Sequence, residues 1–102
     1  MTSIAQFAKF TAKPGKGAEV VAVLEEAYVA AKAEEGTLVY AIHVVPDNPD
    51  VVWMYELYRS VADQQTHSSS EATAQLRASL PDLLDGALEV IRGAQHQSFG
   101  LP

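Results

Sequence analysis

The chain has 102 residues, a length typical of one domain, so we take residues 1–102 as a single domain. Hydrophobic residues make up 48% of it, as in ordinary globular proteins, and the formal net charge is −6. Because no cluster of lysine or arginine accompanies that charge, nucleic acid is not an expected partner. The absence of cysteine excludes disulfides, thiol catalysis and zinc sites built on cysteine.

The N-terminal residues Met1–Ile4 lack the charged and apolar regions of a secretory leader. No stretch of the sequence approaches the roughly 18 consecutive apolar residues of a membrane span. We therefore expect a cytoplasmic protein that does not partner with a membrane.

The first third of the chain predicts a strand followed by a helix. Residues Ser3–Thr11 alternate loosely between apolar and polar side chains, which indicates a strand. Residues Gly17–Glu34 have a helical period instead, with Gly36 placed to end the helix in a left-handed conformation. The apolar residues that set this period are Val20, Leu24, Ala27, Tyr28 and Ala31.

The middle of the chain predicts a β-hairpin. Two runs of β-branched and aromatic residues, Glu35–His43 and Val51–Tyr58, flank a turn at Pro46–Asp50. A turn centred near residue 48 places Tyr40 opposite Glu56, and it places His43 opposite Trp53.

Both faces of this hairpin are apolar and aromatic. One face carries Leu38, Tyr40, Ile42, Met54, Glu56 and Tyr58, and the other carries Val39, Ala41, His43, Trp53, Tyr55 and Leu57. An antiparallel sheet usually leaves one face polar and wet. We therefore expect helices on one face and the sheet of a second subunit on the other, which makes the protein a homodimer.

The last third predicts a broken helix and a final strand. A helix starts at Ser60, restarts where Ser68 and Glu71 have capping-box spacing, and ends before Pro81. Residues Ala87–Gln97 then indicate a strand. The order βαββαβ predicts an α+β, ferredoxin-like fold with an antiparallel sheet.

Glu56 and His67 are the candidate acid and base. A carboxylate inside an apolar strand is costly unless it has a partner, and a histidine titrates near neutral pH. Structural roles compete with this interpretation. Glu56 could accept hydrogen bonds from the backbone or from Tyr40 or Tyr28, and His67 could pair along its helix with Asp63 and Glu71.

The aromatic residues are candidates for binding a substrate. Tyr28 and Tyr40 face each other between helix and sheet in this prediction, where their hydroxyls could line a cavity. Trp53 and His43 share the other face, where dimer packing is favoured over substrate contact. The spacing of His43, His67 and His96 matches no metal motif, so no metal is expected.

Four motifs in order carry a family resemblance. They are Lys13–Lys16, Glu35–Tyr40, Tyr55–Tyr58 and Asp63–Ser69. Together they resemble the antibiotic biosynthesis monooxygenase domain family along nearly the whole chain. The resemblance implies a dimeric α+β barrel, in which two ferredoxin-like subunits pack sheet to sheet.

The resemblance also implies an activity and its residues. Relatives oxygenate quinols and anthrones without metal, flavin or haem, so no cofactor is expected. His67 and Glu56 match the family histidine and glutamate. The ending Phe99–Pro102 is similar to a branch that isomerises small oxygenated carbonyl compounds, which is the first alternative. A non-catalytic ligand-binding dimer is the second, since one fold supports many functions.

Overall fold

The computed structural model describes residues 2–102, which form four strands and three helices. The strands are β1 (Ile4–Thr11), β2 (Thr37–Val45), β3 (Asn48–Tyr58) and β4 (Glu89–Ala94). The helices are α1 (Gly17–Lys32), α2 (Val61–Ser68) and α3 (Glu71–Ser79). Along the chain the order is therefore βαββααβ.

The strands form one sheet in the order β2-β3-β1-β4, with every neighbouring pair antiparallel. This arrangement confirms the predicted α+β, ferredoxin-like fold. The hairpin register is also as predicted, because Tyr40 pairs with Glu56 and His43 pairs with Trp53.

The hairpin turn is tighter than predicted. Val45 pairs with Asn48, so the turn is Pro46-Asp47 and not the five-residue segment Pro46–Asp50. A further register shift between Thr37 and Val39 interrupts the alternation at Leu38. The predicted face therefore holds from Tyr40 onwards but does not extend to Leu38.

Gly36 has a different role from the one predicted. The described glycines with positive φ are Gly15, Gly86 and Gly100, so Gly36 is not in the left-handed region. A Cβ atom at Gly36 would lie 2.2 Å from Cγ of Asp63. Gly36 is thus required because α2 approaches closely at Asp63. Two elements are also shorter than predicted: α1 stops at Lys32, and β4 spans 89–94 instead of 87–97.

Two serines begin the halves of the broken helix. Ser60 Oγ accepts a hydrogen bond from the Asp63 backbone N–H at 3.2 Å, which confirms the start at Ser60. The second cap is Ser70, whose Oγ accepts from the Thr73 N–H at 3.2 Å. The predicted cap, Ser68, is the last residue of α2 and donates its hydroxyl to the Gln65 carbonyl.

The core lies between the helices and one face of the sheet. Its most buried members include Phe10, Val20, Leu24, Val52 and Met54. The opposite face carries Phe7, Trp53 and Ile91, which are 46%, 41% and 73% exposed. The predicted cover of that face, a second copy of the chain, stays a prediction.

Among residues 2–102, no helix has the length and apolar character needed to cross a membrane.

Candidate active site

Glu56 is a buried carboxylate with both oxygens engaged. It lies on β3 and is 5% exposed. The Tyr58 hydroxyl donates to Oε1 at 2.5 Å, and the Gln6 side-chain amide donates to Oε2 at 2.9 Å. A tyrosine partner was predicted, but it is Tyr58 and neither Tyr40 nor Tyr28. Tyr58 can reach because residues two apart on a strand share a face.

His67 lies at the end of α2 and links two carboxylates. Its Nδ1 is 2.7 Å from Oε1 of Glu34, and its Nε2 is 3.4 Å from Oε1 of Glu56. The Thr37 hydroxyl also donates to Glu34 Oε1, at 2.7 Å, which orients that carboxylate. His67 and Glu56 therefore meet.

The structural alternative for His67, pairing along its own helix with Asp63 and Glu71, is not what the structure has. Asp63 instead accepts hydrogen bonds from Arg59, at 2.9 Å from Nε, and from the Ser60 hydroxyl. These donors hold the pKa of Asp63 below its usual range. Asp63 thus fixes the start of α2, while His67 turns inward to Glu34 and Glu56.

The surroundings set the protonation states. Burial alone lowers the pKa of His67, but its interactions with the carboxylates of Glu56 and Glu34 outweigh burial and raise the pKa above its ordinary value. The pKa values of Tyr58 and Tyr40 are raised by burial and by the nearby charge of Glu56. Both tyrosines therefore stay protonated at neutral pH.

A row of side chains crosses all four strands beside this pair. The pairings Tyr40–Glu56, Glu56–Gln6 and Gln6–Arg92 put one residue of each strand in the row. The Arg92 Nε–H donates to Gln6 Oε1 at 2.6 Å, and Gln6 in turn donates to Glu56. We call Tyr40, Glu56, Gln6 and Arg92 the polar rung.

The polar rung forms the floor of a cavity between the sheet and α2–α3. The cavity has a volume of about 80 Å³ and is partly open to solvent. His67 and Gln64 add polar atoms to the lining, and the apolar lining includes Phe10, Leu24, Met54, Leu76 and Leu80.

His67 also borders a second depression that opens to solvent. Glu34, Thr37 and Thr66 line it together with His67. The Glu34 side chain is 21% exposed there. His67 therefore lies between the cavity and this second depression, and Glu34 connects its Nδ1 to the water side.

Three of the six predicted site residues meet at the cavity, namely His67, Glu56 and Tyr40. Tyr28 is 42% exposed on α1 and lies outside the cavity lining, with its ring 6.1 Å from the Tyr40 ring. His43 and Trp53 lie on the opposite face of the sheet. Substrate binding by these residues stays a prediction.

Within residues 2–102, no group of three or more His, Asp or Glu side chains is arranged to hold a metal ion.

The site also contains residues that were not predicted, among them Gln6, Tyr58, Glu34 and Arg92. Gln6 was detectable, because it is in phase with Ala8 and Phe10 on the buried face of β1. Tyr58 was detectable as the neighbour of Glu56 on its face. Glu34 and Arg92 had no local signal, because their partners lie 33 and 86 residues away in the chain.

Most of the sequence matches one known protein family. Residues 3–79 match the sequence profile of a family described as antibiotic biosynthesis monooxygenase. No protein of curated function is significantly similar to this chain.

Several solved structures share the fold over nearly their full length. Rv0793 from Mycobacterium tuberculosis is 24% identical, with 94% of this chain and 97% of that chain covered and a TM-score of 0.87. NE2512 from Nitrosomonas europaea, a protein of unknown function, is 26% identical, with 100% and 96% covered and a TM-score of 0.86. PA3566 from Pseudomonas aeruginosa is 22% identical, with 95% and 97% covered and a TM-score of 0.86.

Proposed function

The chain belongs to the antibiotic biosynthesis monooxygenase family, and from this premise we propose that it oxygenates a quinol-like or anthrone-like aromatic compound without a cofactor. The observation that carries the proposal is the position of His67, held between Glu34 and Glu56 at the cavity. A base beside an apolar cavity is what deprotonation of a phenolic or enolisable substrate requires.

His67 is the proposed base. With Nδ1–H donated to Glu34, neutral His67 presents Nε2 as an acceptor. The 3.4 Å from Nε2 to Glu56 is longer than an ordinary hydrogen bond, so Nε2 remains open to a substrate proton. After proton transfer, the carboxylates of Glu34 and Glu56 stabilise the imidazolium between them.

The substrate supplies the electrons for the oxidation. In an anthrone-like substrate, removal of a proton from the activated CH₂ leaves a carbanion, which adds O₂ and takes a proton to form a hydroperoxide. In a quinol-like substrate, removal of a hydroxyl proton makes the neighbouring ring C–H carbon electron-rich, and this carbon adds O₂ to form the hydroperoxide. In both, loss of the remaining C–H proton breaks the O–O bond, forms C=O and releases hydroxide, which His67 protonates to water. The balances are CH₂ + O₂ → C=O + H₂O and quinol + O₂ → hydroxyquinone + H₂O, with four electrons passing from the substrate to oxygen.

We propose that the chain acts as a homodimer. The sheet face opposite the cavity carries Phe7, His43, Trp53, Tyr55 and Ile91, which we call the aromatic face. The Phe7 and Tyr55 rings pack 5.1 Å apart, and Phe7, Trp53 and Ile91 are substantially exposed. An exposed apolar patch of this kind marks an interaction surface, and a second copy would supply a matching face.

Isomerisation of a small oxygenated carbonyl compound is the second candidate. The adjacency of Glu56 and His67 favours it, because a carboxylate and an imidazole can move a proton between neighbouring carbons. Conversion without oxygen, with deuterium taken up from D₂O, would establish isomerisation; turnover only in the presence of oxygen would eliminate it.

Oxygen uptake by the metal-free protein with a panel of hydroquinones and anthrones tests the proposal. We expect uptake above the protein-free rate, and we expect His67→Ala to reduce it by about 100-fold or more. His96→Ala is the control, because His96 is exposed and lies outside the cavity lining. Unchanged uptake in His67→Ala would remove His67 from the mechanism, and no uptake with any compound would contradict the oxygenase.

A further inference from the structure

Two of the three arginines in the chain line the same cavity. Arg77 lies on α3 and Arg92 lies on β4. The third, Arg59, pairs with Asp63 and Glu35. Among the described residues, neither Arg77 nor Arg92 forms an ion pair. In a chain with a net charge of −6, two arginines without carboxylate partners at one cavity indicate a negatively charged ligand.

The negative and positive side chains of the cavity lie on different strands of the sheet. Glu56 is the carboxylate in its lining, and it lies two strands away from Arg92 along the polar rung. Neighbouring strands are about 4.8 Å apart, so the Cα atoms of these residues are separated by roughly 10 Å. An anion is therefore attracted to the Arg92 end and repelled from the Glu56 end.

Arg92 is oriented for this role. Its Nε–H donates to Gln6, which is itself held by Glu56. A guanidinium has five N–H donors, so four remain for a ligand. Arg77 lines the same cavity from α3, so the guanidinium groups of both arginines are available to an anion bound there.

We propose that the substrate is a hydroxyaromatic carboxylate. Its carboxylate binds between Arg77 and Arg92, its ring lies over the polar rung, and its hydroxyl reaches His67 and Glu56. This inference deepens the proposed function by naming the class of substrate, and it assigns Arg77 and Arg92 as specificity-determining residues.

Binding of two unreactive probes tests the inference without oxygen or turnover. Calorimetric titration compares 4-hydroxybenzoate with phenol, which differ in the carboxylate alone. We expect the wild type to prefer 4-hydroxybenzoate by about tenfold or more. The variant Arg77→Gln/Arg92→Gln should lower that preference to within twofold.

The matched control is Lys13→Gln/Lys32→Gln, which also removes two positive charges but from exposed positions outside the cavity lining. It should keep the preference, and an equal loss in this control would assign the effect to overall charge and overturn the inference. If the double arginine variant fails to fold, Arg77→Gln alone should lower the preference several-fold. Equal binding of the two probes to the wild type would also overturn the inference.

Failure of this inference is distinguishable from failure of the proposed oxygenase. A strong preference for 4-hydroxybenzoate with no oxygen uptake on 2,5-dihydroxybenzoate would keep the carboxylate site and contradict the oxygenase. Oxygen uptake with hydroquinone and no preference for the acid would keep the oxygenase and overturn the carboxylate site.

Discussion

His67 shows how a single residue acquires its chemistry from distant parts of the chain. Glu34 reaches Nδ1 from the segment after α1, Glu56 lies near Nε2 on β3, and the rings of Tyr40 and Tyr58 are 5.9 and 5.2 Å from the imidazole. The carboxylates favour the charged imidazolium more than burial opposes it. The pKa of His67 is consequently raised in the folded protein.

This raised pKa predicts how stability depends on pH. Protonated His67 stabilises the fold fully below the unfolded-state pKa of about 6.5, and this contribution is lost as pH rises through the folded-state pKa. We expect the free energy of unfolding, measured by urea denaturation, to fall across that window. Glu34→Gln should make the fall smaller, because it lowers the pKa of His67 toward its ordinary value.

Glu25→Gln is the control for this experiment, since Glu25 is an exposed residue of α1 that also loses one negative charge. An NMR titration of His67 should report the lowered pKa in Glu34→Gln directly. A pKa that is the same in Glu34→Gln and in the wild type would show that Glu34 does not stabilise the imidazolium.

At the scale of elements, the interruption between α2 and α3 positions the proposed base. α2 ends at Ser68 and α3 starts at Glu71, so His67 occupies the last turn of a short helix, from which its side chain approaches Glu56 on β3. The Thr73 hydroxyl donates to the His67 carbonyl at 2.8 Å, which ties the two helices together at this point. The break is thus a part of the site.

The cap of α3 can be tested by comparing two neighbouring serines. Ser70→Ala removes the acceptor for the Thr73 N–H, so we expect it to lower the free energy of unfolding by about 1 kcal/mol. Ser68→Ala removes only a hydroxyl that donates to a carbonyl one turn back, so its effect should be smaller. A larger loss in Ser68→Ala, measured by urea denaturation, would contradict the Ser70 cap.

The sequence predicts the elements of this fold better than their ends. The predicted pairing of Tyr40 with Glu56 is correct although the predicted turn is not, because the register shift between Val44 and Val45 offsets the tighter turn. Three consecutive serines, Ser68–Ser70, offered competing caps, and local spacing alone favoured the wrong one. Gly36 was misinterpreted because its constraint comes from α2, which local sequence does not report.

At the scale of the whole molecule, the two faces of the sheet have different surroundings. Helices cover the face that carries the polar rung, whereas Phe7, Trp53 and Ile91 on the aromatic face remain exposed in the single chain. Burying such residues contributes about 25 cal/mol for each Å² of apolar surface. The proposed dimer would bury them on both subunits at once.

The dimer predicts a sedimentation mass twice the 11.0 kDa of one chain. Ile91→Asp should shift the protein toward monomer, because a carboxylate buried at the interface would lack a partner. Val29→Asp is a matched control, since Val29 is 71% exposed and Ile91 73%, but Val29 lies on α1. A wild-type monomer at micromolar concentration, or an equal shift in both variants, would contradict an interface on the aromatic face.

The polar rung combines residues from the segment that matches the family with Arg92, which lies outside that segment. Glu34, Glu56 and His67 all lie inside the segment that matches the family, residues 3–79, whereas Arg92 lies beyond it on the last strand. If Arg92 selects the substrate as we propose, a change in β4 would alter the compounds that bind and leave Glu34, Glu56 and His67 unchanged. Relatives that act in the proposed way could then acquire new substrates through replacement of one terminal strand.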